Sequence, residues 1–572
     1  MFDKAKDKAF WATVRESDVY ARHRAAIKAE YDRFFQVPPS PHTAKEILEN
    51  NDHGKHFRHL CQLQSAALMA LIYPENEEYY NNLVDIVWTY CNEYTWAPLG
   101  HYNSYYNCTP ADYDAGLIDI FAASTGFSLA EIKQLFADRF PKLLTDRITA
   151  EIRRHIIEPY LTRKFFWEKH DNNWTAVCTG AVGGTLMYED PEAFLANQER
   201  LHASMECYLA PYGDDGMCVE GTAYWGFGFG FFATYAMLEK EFTNGKVDWF
   251  ARPKVKAIGS YVQEMFLEPA VMATYGDCNQ KEGYWVGLHH MMHAVYPDVV
   301  EPLPLNKATY CTYTHFAFGL RSVVYYDPAA VCESLEKRTY CRAGSSYFTK
   351  RTPYYGFGIK GGNNGESHNH IDVGTFIIGR HNRQVICDFG YPGPGAHTGD
   401  YHGKDRYTNF NPSGFGHSIP YFGTTNQSSR ALEGVRTLTV YDEKTETVTL
   451  DMTHAYYNVA GVNSLVRAFH FVGDDTIEMT DTYDYTGDET VTERLITNIQ
   501  PRVEGNALYL DDMCITLASN ATLNVVEQPY FDQFPDAEGK FARICYCLDY
   551  AMAKGEKSFK LTITMPTPSK LG

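Results

Sequence analysis

The sequence contains no run of about 18 consecutive apolar residues, the length that a membrane-spanning helix requires. Positive charge is also scarce, since 51 Lys and Arg against 71 Asp and Glu give a formal net charge of −20. This balance disfavours nucleic acid as a partner, and an anionic ligand would have to be met by a local basic cleft. Low-complexity tracts are absent, so disorder is not indicated. We therefore expect a folded protein that binds neither membrane nor nucleic acid.

Paired cysteine motifs are also lacking. The 14 cysteines are scattered, many in apolar surroundings, and the only close pair, Cys545 and Cys547, has no second pair to complete a zinc knuckle. The first 35 residues are charged and helical in pattern, without the apolar segment of a secretory signal. Both features favour a reducing, cytoplasmic location. A leader preceding this chain would instead direct it to the periplasm or outside the cell.

Aromatic residues are abundant: 42 Tyr, 34 Phe and 8 Trp make up 15% of the chain. Sugar rings present flat C–H faces and many hydroxyls, so aromatic side chains with polar tips bind them well. Aromatic residues also dominate the cores of ordinary proteins. Aromatic content is therefore compatible with a carbohydrate ligand without establishing one.

A chain of 572 residues is too long for one compact core, so two or three domains are expected. In the first half, apolar residues recur every three or four positions, as in 60–73, 79–94, 115–124 and 128–140. From about residue 310 the runs are short and alternate, as in 315–327, 354–362, 373–380, 383–390, 446–453, 476–485 and 558–566. The sequence thus predicts an α+β multidomain protein, with an incomplete (α/α) toroid over 1–310 and an antiparallel β-sandwich over 311–572.

Three motifs contain residues suited to chemistry, and the first is DNNWTAVCTGAVGGTLM (171–187). Asn172, Asn173 and Trp174 open an apolar helix of small residues. Asparagine is a good helix N-cap, which would explain one of the two. Two asparagines followed by tryptophan exceed what a cap requires, so this is also a candidate binding site.

The second motif, PYGDDGMCVEGTAYWGFGFGFF (211–232), contains Glu220, Tyr224 and Trp225. Glycine destabilises helices, so its repetition here indicates close approach of the backbone to a ligand or to another helix. On composition alone, Tyr224 is better explained as an ordinary half-buried tyrosine than as a site residue.

The third motif is NNGESHNHIDVGTFIIG (363–379), in which His368, His370 and Asp372 alternate. On a strand these three side chains would share one face. Asp388 follows at the end of a buried-looking strand, and His417 lies in a glycine-rich loop. Imidazoles and carboxylates are common ligands of first-row metals, so we expect a metal or catalytic site in this region.

The order NNW, EGTAYW and SHNHIDVGTF, with a helical half before a β half, resembles the heparinase II/III-like polysaccharide lyases over most of the chain. Related families act on heparan sulfate, hyaluronan, chondroitin or alginate. The resemblance implies that Asn173, or Asn172, neutralises the uronate carboxylate, that Tyr224 is the Brønsted acid and base, and that His368 lies at the reacting sugar. One departure is that relatives often place a His beside the Asn, where this chain has Trp174.

The resemblance also implies a structural divalent metal, zinc or alternatively manganese or calcium, held by His370, Asp388 and His417, and no organic cofactor. The reaction would be β-elimination at a 4-linked uronate, in an anionic polysaccharide or oligosaccharide. Donors directed at the carboxylate would stabilise the enolate-like transition state. Whether Tyr224 or His368 is the base, and whether the protein forms homo-oligomers, is left open. The expected substrate contacts are Asn172, Trp174, Glu220, Trp225, Tyr401, Arg406 and Tyr407.

Three alternatives remain compatible with the sequence. The first is an exo-lyase for alginate or other oligouronates within the same superfamily. The second is a glycoside hydrolase on an α/α barrel, with an acid/base pair drawn from Asp214, Asp215 and Glu220. The third is a non-catalytic glycan-binding protein, which would leave Asn173, Tyr224 and His368 without a joint purpose.

Overall fold

The computed structural model describes residues 2–49, 54–108, 116–278, 285, 287–300, 315–330, 337–341, 344–393, 401 and 403–570. The described residues of the N-terminal half are mainly helical. The helices are α1 (Asp3–Lys6), α2 (Lys8–Glu16), α3 (Ala21–Phe34), α4 (Ala44–Leu48), α5 (Lys55–Ile72), α6 (Glu77–Tyr90), α7 (Leu99–Tyr106), α8 (Ile120–Leu135), α9 (Lys142–Ile152), α10 (Glu158–Thr162), α11 (Asn173–Glu189), α12 (Pro191–Leu209), α13 (Thr222–Tyr224), α14 (Gly230–Phe242), α15 (Pro253–Glu264), α16 (Gly287–Val295) and α17 (Phe316–Val324). None of these helices is long and apolar enough to cross a membrane.

Helix α11 lies in the centre of the helical part and is buried along most of its length. Its glycines allow neighbouring helices to approach closely. A Cβ at Gly183 would lie 2.5 Å from the ring of Tyr235 on α14, and one at Gly184 would overlap the ring of Phe127 on α8. The small-residue composition of this motif therefore reflects helix packing, and the packing fixes the position of the first turn of α11.

The described residues from Arg338 onward are built mainly from antiparallel sheets, and a short hairpin of residues 266–272 lies earlier, within the helical part. The strands are β1 (Phe266–Glu268), β2 (Val271–Met272), β3 (Arg338–Tyr340), β4 (Tyr347–Arg351), β5 (Gly356–Lys360), β6 (Phe376–Arg380), β7 (Arg383–Ile386), β8 (Tyr421–Phe422), β9 (Val440–Asp442), β10 (Thr447–Asp451), β11 (Val462–Val472), β12 (Thr476–Tyr485), β13 (Val491–Thr497), β14 (Arg502–Glu504), β15 (Ala507–Leu510), β16 (Met513–Leu517), β17 (Ala521–Phe531), β18 (Ala542–Met552) and β19 (Ser558–Thr564). Their orders are β14-β15-β16-β19-β12-β11-β10-β9, β17-β18-β13-β8, β3-β4-β5-β6-β7 and the hairpin β1-β2.

The five-stranded sheet lies between the helices and the eight-stranded sheet. On one face, Phe357 and Phe376 each lie 4.9 Å, between ring centroids, from Phe469 of the eight-stranded sheet. On the other face, Tyr347 and Ile377 belong to the hydrophobic core of the helical part. Because both faces are covered, β4, β5 and β6 are buried at every position, whereas β11 alternates between buried and more exposed residues.

Several sequence-based predictions of local structure are wrong. Residues 315–327 were predicted as a strand, but 316–324 form helix α17, where Arg321 makes a double hydrogen bond to Glu131 of α8 at 3.0 and 2.7 Å. An apolar run that is buried on all sides carries no periodicity that separates helix from strand. Likewise, 115–124 and 128–140 were predicted as separate segments but contribute to the single helix α8. The division of the chain at residue 310 stays a prediction.

The strand predicted for the His368–Asp372 segment is also wrong. These residues lie in a turn-rich loop between β5 and β6, and His368 has a left-handed backbone, with φ of 56°. Asp372 does not share a face with the two histidines, since its carboxylate is paired with Lys360 at 2.5 Å.

Candidate active site

The two asparagines at the start of α11 have different roles. Asn172 is the N-cap, and its side-chain oxygen accepts a hydrogen bond from the backbone N–H of Trp174 at 3.2 Å. Asn173 is buried and donates twice to Glu220, from Nδ2 at 2.7 Å and from its backbone N–H at 3.0 Å. The capping explanation therefore accounts for Asn172, while Asn173 is held by a carboxylate that faces the candidate site.

Tyr224 and His368 come from distant segments and stack on one another. Their ring centroids are 3.7 Å apart and the ring planes are inclined by 17°. Tyr224 ends α13 and is followed by a π-helical turn over Trp225–Phe229, a distortion that often marks functional sites. A Cβ at Gly228 in this turn would lie 3.1 Å from the Cβ of Asn173. The repeated glycines thus allow the first and second motifs to approach each other.

Two carboxylates flank the imidazole of His368. Its Nδ1 lies 3.1 Å from Oδ2 of Asp277, and its Nε2 lies 3.7 Å from Oε2 of Glu220. Gly276 permits this arrangement because a Cβ there would lie 2.9 Å from the carbonyl oxygen of His368. The backbone N–H of Asp277 donates to the same carbonyl oxygen at 3.2 Å. His368 is therefore fixed through both its backbone and its ring.

Asp277, which the sequence did not suggest, connects several predicted site residues. Its Oδ1 lies 3.1 Å from Nε2 of His370 and accepts hydrogen bonds from the Tyr401 hydroxyl at 3.0 Å and the Arg406 guanidinium at 2.8 Å. Burial would raise the pKa of Asp277, but hydrogen bonds from both histidines and the charge of Arg406 hold it well below its usual value. Asp277 is thus a buried anion that organises the site.

Tyr401, Arg406 and Tyr407 were predicted to contact substrate, but their polar groups point inward. Tyr401 and Arg406 bind Asp277, as described above, and Arg406 also donates to the backbone oxygen of Asn369 at 2.9 Å. The Tyr407 hydroxyl donates to the side-chain oxygen of Asn369 at 3.1 Å. These contacts hold the loop that carries His368 and His370, and contact of the three residues with substrate stays a prediction.

The remaining predicted substrate contacts differ in their surroundings, and their role in binding stays a prediction. Trp225 is fully buried, and its indole N–H donates to the backbone oxygen of Ile258 at 2.7 Å, so it belongs to the core. Glu220 binds Asn173 rather than facing open solvent. Trp174 is mostly buried, with its ring centroid 4.4 Å from that of the more exposed Tyr105.

The side chain of Tyr224 is surrounded by negative charge. Burial, together with the charges of Asp277 and Glu220, raises its pKa well above the usual value near 10. Burial is also the main reason that the pKa of Glu220 is raised, against the opposing effects of His368 and Asn173. Tyr224 is therefore a neutral phenol in this structure, suited to donate a proton.

A pocket of about 350 Å³ opens at Tyr224 and Asp277, between the helical part and the β part. Its lining is largely aromatic or apolar: Phe57, Ile120, Phe121, Ala223, Phe227, His315 and Tyr391, with Gln533 from the β part. The sequence analysis did not identify these lining residues. Burial lowers the pKa of His315 to about 3, so this ring is neutral near neutral pH. The pocket can accommodate the apolar faces of a sugar ring.

The predicted metal ligands His370, Asp388 and His417 form one buried cluster, with ligand atoms within 4.8 Å of one another. Nδ1 of His417 lies 3.0 Å from Oδ2 of Asp388. Nδ1 of His370 and Nε2 of His417 are buried without a hydrogen-bond partner among the described residues. Two unsatisfied imidazole nitrogens beside a buried carboxylate fit a divalent metal of the zinc type.

The carboxylates considered for a hydrolase are not gathered at this site. Asp214 is exposed, and the side chain of Asp215 accepts the backbone N–H of Met217 at 3.2 Å in its own loop. Of the three, Glu220 alone contacts Asn173 and His368 in the part of the chain that the structure describes.

No protein-family model and no curated protein matches this chain. Several solved structures do match. Heparinase III matches with a TM-score of 0.59 and 13% sequence identity, and the match covers 90% of this chain and 77% of that chain. The heparan sulfate lyase HepC from Pedobacter heparinus matches with a TM-score of 0.57 and 13% identity, covering 96% and 89% of the two chains. The chondroitin AC lyase of Streptomyces coelicolor A3, in complex with chondroitin sulphate, matches with a TM-score of 0.55 and 9% sequence identity. That match covers 98% of this chain and 82% of the lyase chain. The chain therefore has the fold of the heparinase-like polysaccharide lyases.

Proposed function

We propose that this protein is a polysaccharide lyase that cleaves 4-linked uronate glycans by β-elimination, with glycosaminoglycans such as heparan sulfate, hyaluronan or chondroitin as substrates. The observation that carries the proposal is the convergence of Asn173, Tyr224 and His368 beside one aromatic pocket. The fold likeness adds support, because the similar structures bear the names of heparin, heparan sulfate and chondroitin lyases. In the same proposal, the helices form an incomplete toroid and the sheets a β-sandwich.

The first chemical requirement is stabilisation of the carboxylate beside the C5 proton. Removing this proton builds charge on the carboxylate, and hydrogen-bond donors directed at it lower the barrier. An Asn amide has two N–H donors, and one of those on Asn173 is directed at Glu220. The second would bind the uronate carboxylate. Because burial raises the pKa of Glu220, a protonated Glu220 would add a further donor there.

The second requirement is a base and an acid. A tyrosinate is disfavoured at Tyr224 because burial, and after it the charge of Asp277, raises the pKa of this phenol. Asp277 accepts from Nδ1 of His368, which places the lone pair of the neutral imidazole on Nε2. We assign His368 as the base that takes the C5 proton and Tyr224 as the acid that protonates the departing O4.

His370, Asp388 and His417 would hold a structural divalent ion, most simply zinc. When bound, the ion would tie the His370 loop to the end of β7 and to the loop that carries His417. Because His370 also contacts Asp277, the cluster supports the partner that orients His368.

The test is incubation of purified protein with heparan sulfate, hyaluronan, chondroitin, dermatan and alginate. The unsaturated product of a lyase is followed by its ultraviolet absorbance, and new reducing ends are measured in parallel. Tyr224→Phe should lower kcat by about 10²- to 10⁴-fold, the usual contribution of a general acid, with little change in KM. Tyr457→Phe, at an exposed tyrosine of the β part, is the control.

Reducing ends without the chromophore would indicate a hydrolase and overturn the proposal. Retention of near-wild-type turnover by Tyr224→Phe would overturn the role of this residue. Preference for alginate over all glycosaminoglycans would narrow the function to the alginate branch.

A further inference from the structure

His101, on helix α7, is held by a buried carboxylate. Its Nδ1 lies 2.5 Å from Oδ2 of Asp119, whose side chain is fully buried while that of His101 is 20% exposed. The other oxygen of Asp119 accepts the backbone N–H groups of Phe121 and Ala122, which caps α8. Nε2 of His101 makes no hydrogen bond to any residue within the described ranges. The carboxylate of Asp119 therefore fixes the imidazole at Nδ1, and Nε2 is available for a ligand.

The His101 ring packs on Phe121, one of the residues that line the pocket. Its centroid is 5.6 Å from that of Phe121, which lines the pocket together with Tyr224. It is also 5.6 Å from the centroid of Trp174, the residue that follows Asn173. The Phe121 ring therefore lies between His101 and the pocket, and the Trp174 ring connects His101 to the start of α11.

The surroundings of His101 distinguish it from His56, another histidine that packs on Phe121. His56, 5.1 Å from Phe121 between ring centroids, is buried, and this burial lowers its pKa to about 3. His101 combines partial exposure with a buried carboxylate partner at Nδ1, so Nε2 is the ring nitrogen left for a ligand.

We infer that His101, oriented by Asp119, is a substrate-binding residue that, with a proton on both ring nitrogens, donates from Nε2 to an anionic group of a glycan that extends from the pocket. This inference rests on the proposed function. The anionic group is a carboxylate of the sugar chain or a sulfate, which share the same hydrogen-bonding chemistry. Asp119 is a positioning residue, because it acts through His101.

Steady-state kinetics of His101→Gln test the inference with hyaluronan, which carries only carboxylates, and with chondroitin 4-sulfate. A hydrogen bond to a charged group contributes about 1.5–3 kcal/mol, so KM should rise about tenfold or more while kcat changes little. A rise on both glycans identifies a carboxylate as the ligand, and a rise on chondroitin 4-sulfate alone identifies a sulfate. His101→Lys, which keeps a cationic donor, should recover part of the loss.

Asp119→Asn retains the cap of α8 and should raise KM in the same direction. Combined with His101→Gln it should add little, because both changes remove one oriented donor. The matched control is His470→Gln, which disrupts the exposed His470–Glu478 pair, 3.0 Å long, on the β-sheet surface. Its kinetics should equal those of the wild type.

Unchanged KM in His101→Gln on both glycans would overturn the inference, as would an equal effect of His470→Gln. If the wild type cleaves no uronate glycan, the proposed function fails by itself. Calorimetric titration with hyaluronan and chondroitin sulfate oligosaccharides then tests His101 directly. Equal affinity of wild type and His101→Gln in that titration would also reject the inference.

Discussion

Replacing Asp277 by Asn tests whether this buried carboxylate organises the site. Asn has nearly the same shape, so the change removes charge without creating a cavity. In the native protein Asp277 accepts from His368, His370 and Tyr401 at 3.0–3.1 Å and pairs with Arg406 at 2.8 Å. After the change, the guanidinium of Arg406 remains buried without a compensating anion, and Nδ1 of His368 loses its acceptor.

Two magnitudes follow from these contacts. Removing one partner of a buried ion pair costs about 3–5 kcal/mol, so the free energy of unfolding should fall by about 3 kcal/mol, given that Asn retains one acceptor oxygen. With its tautomer no longer fixed, His368 should lose most of its activity as a base. Since general acid–base catalysis contributes about 10²- to 10⁴-fold, kcat should fall by that factor.

The assay combines urea unfolding with the rate of unsaturated-product formation by the folded enzyme. The matched control is Glu131→Gln, which leaves Arg321 unpaired within the helical part, away from the pocket. This variant should lose comparable stability while retaining kcat. If Asp277→Asn keeps near-wild-type kcat, or if both variants lose kcat equally, Asp277 does not orient the base.

Two further outcomes are expected. Metal analysis of His417→Ala should show loss of the bound divalent ion, because His370 and Asp388 alone cannot complete the buried cluster. Urea unfolding of the same variant should show a lower midpoint. Full activity of folded, metal-free protein would contradict a role for the ion. Burial raises the pKa of Glu220, so the folded protein favours the protonated carboxyl. The contribution of protonated Glu220 to the free energy of unfolding is complete below the ordinary pKa of 4.5 and is lost as the pH rises through the raised pKa. The urea midpoint of Glu220→Gln, relative to wild type, should accordingly increase with pH above 4.5, and a pH-independent difference would reject this assignment.

Regular patterns predicted much of the local structure. The strands expected at 354–362, 373–380, 476–485 and 558–566 are confirmed by β5, β6, β12 and β19, since flanking turns and β-rich runs mark them. The prediction failed for 315–327, where burial on all sides removed the polar face that reveals helical periodicity. It also failed at His368, because a left-handed residue interrupts the alternation that was interpreted as a strand.

Composition also did not indicate in which direction polar side chains point. Tyr401, Arg406 and Trp225 have the side chains expected of a sugar-binding surface, yet their polar groups bind Asp277 and the backbone of Ile258. A residue type specifies which contacts a side chain can make. Its direction depends on which acceptor the fold brings near, and here the acceptor lies more than 30 residues away along the chain.

The sequence alone indicated much of the succession of helices and strands, the three motifs and the candidate residues Asn173, Tyr224 and His368, because local spacing and residue type are written in consecutive positions. It also indicated His370, Asp388 and His417 as candidate ligands. Only the tertiary structure decided which groups surround them: Asp277 reaches His368 across 91 residues, and Glu220 reaches Asn173 across 47. A single carboxylate such as Asp277 or Asp119 has no local pattern, since its role arises only when folding buries it against an imidazole.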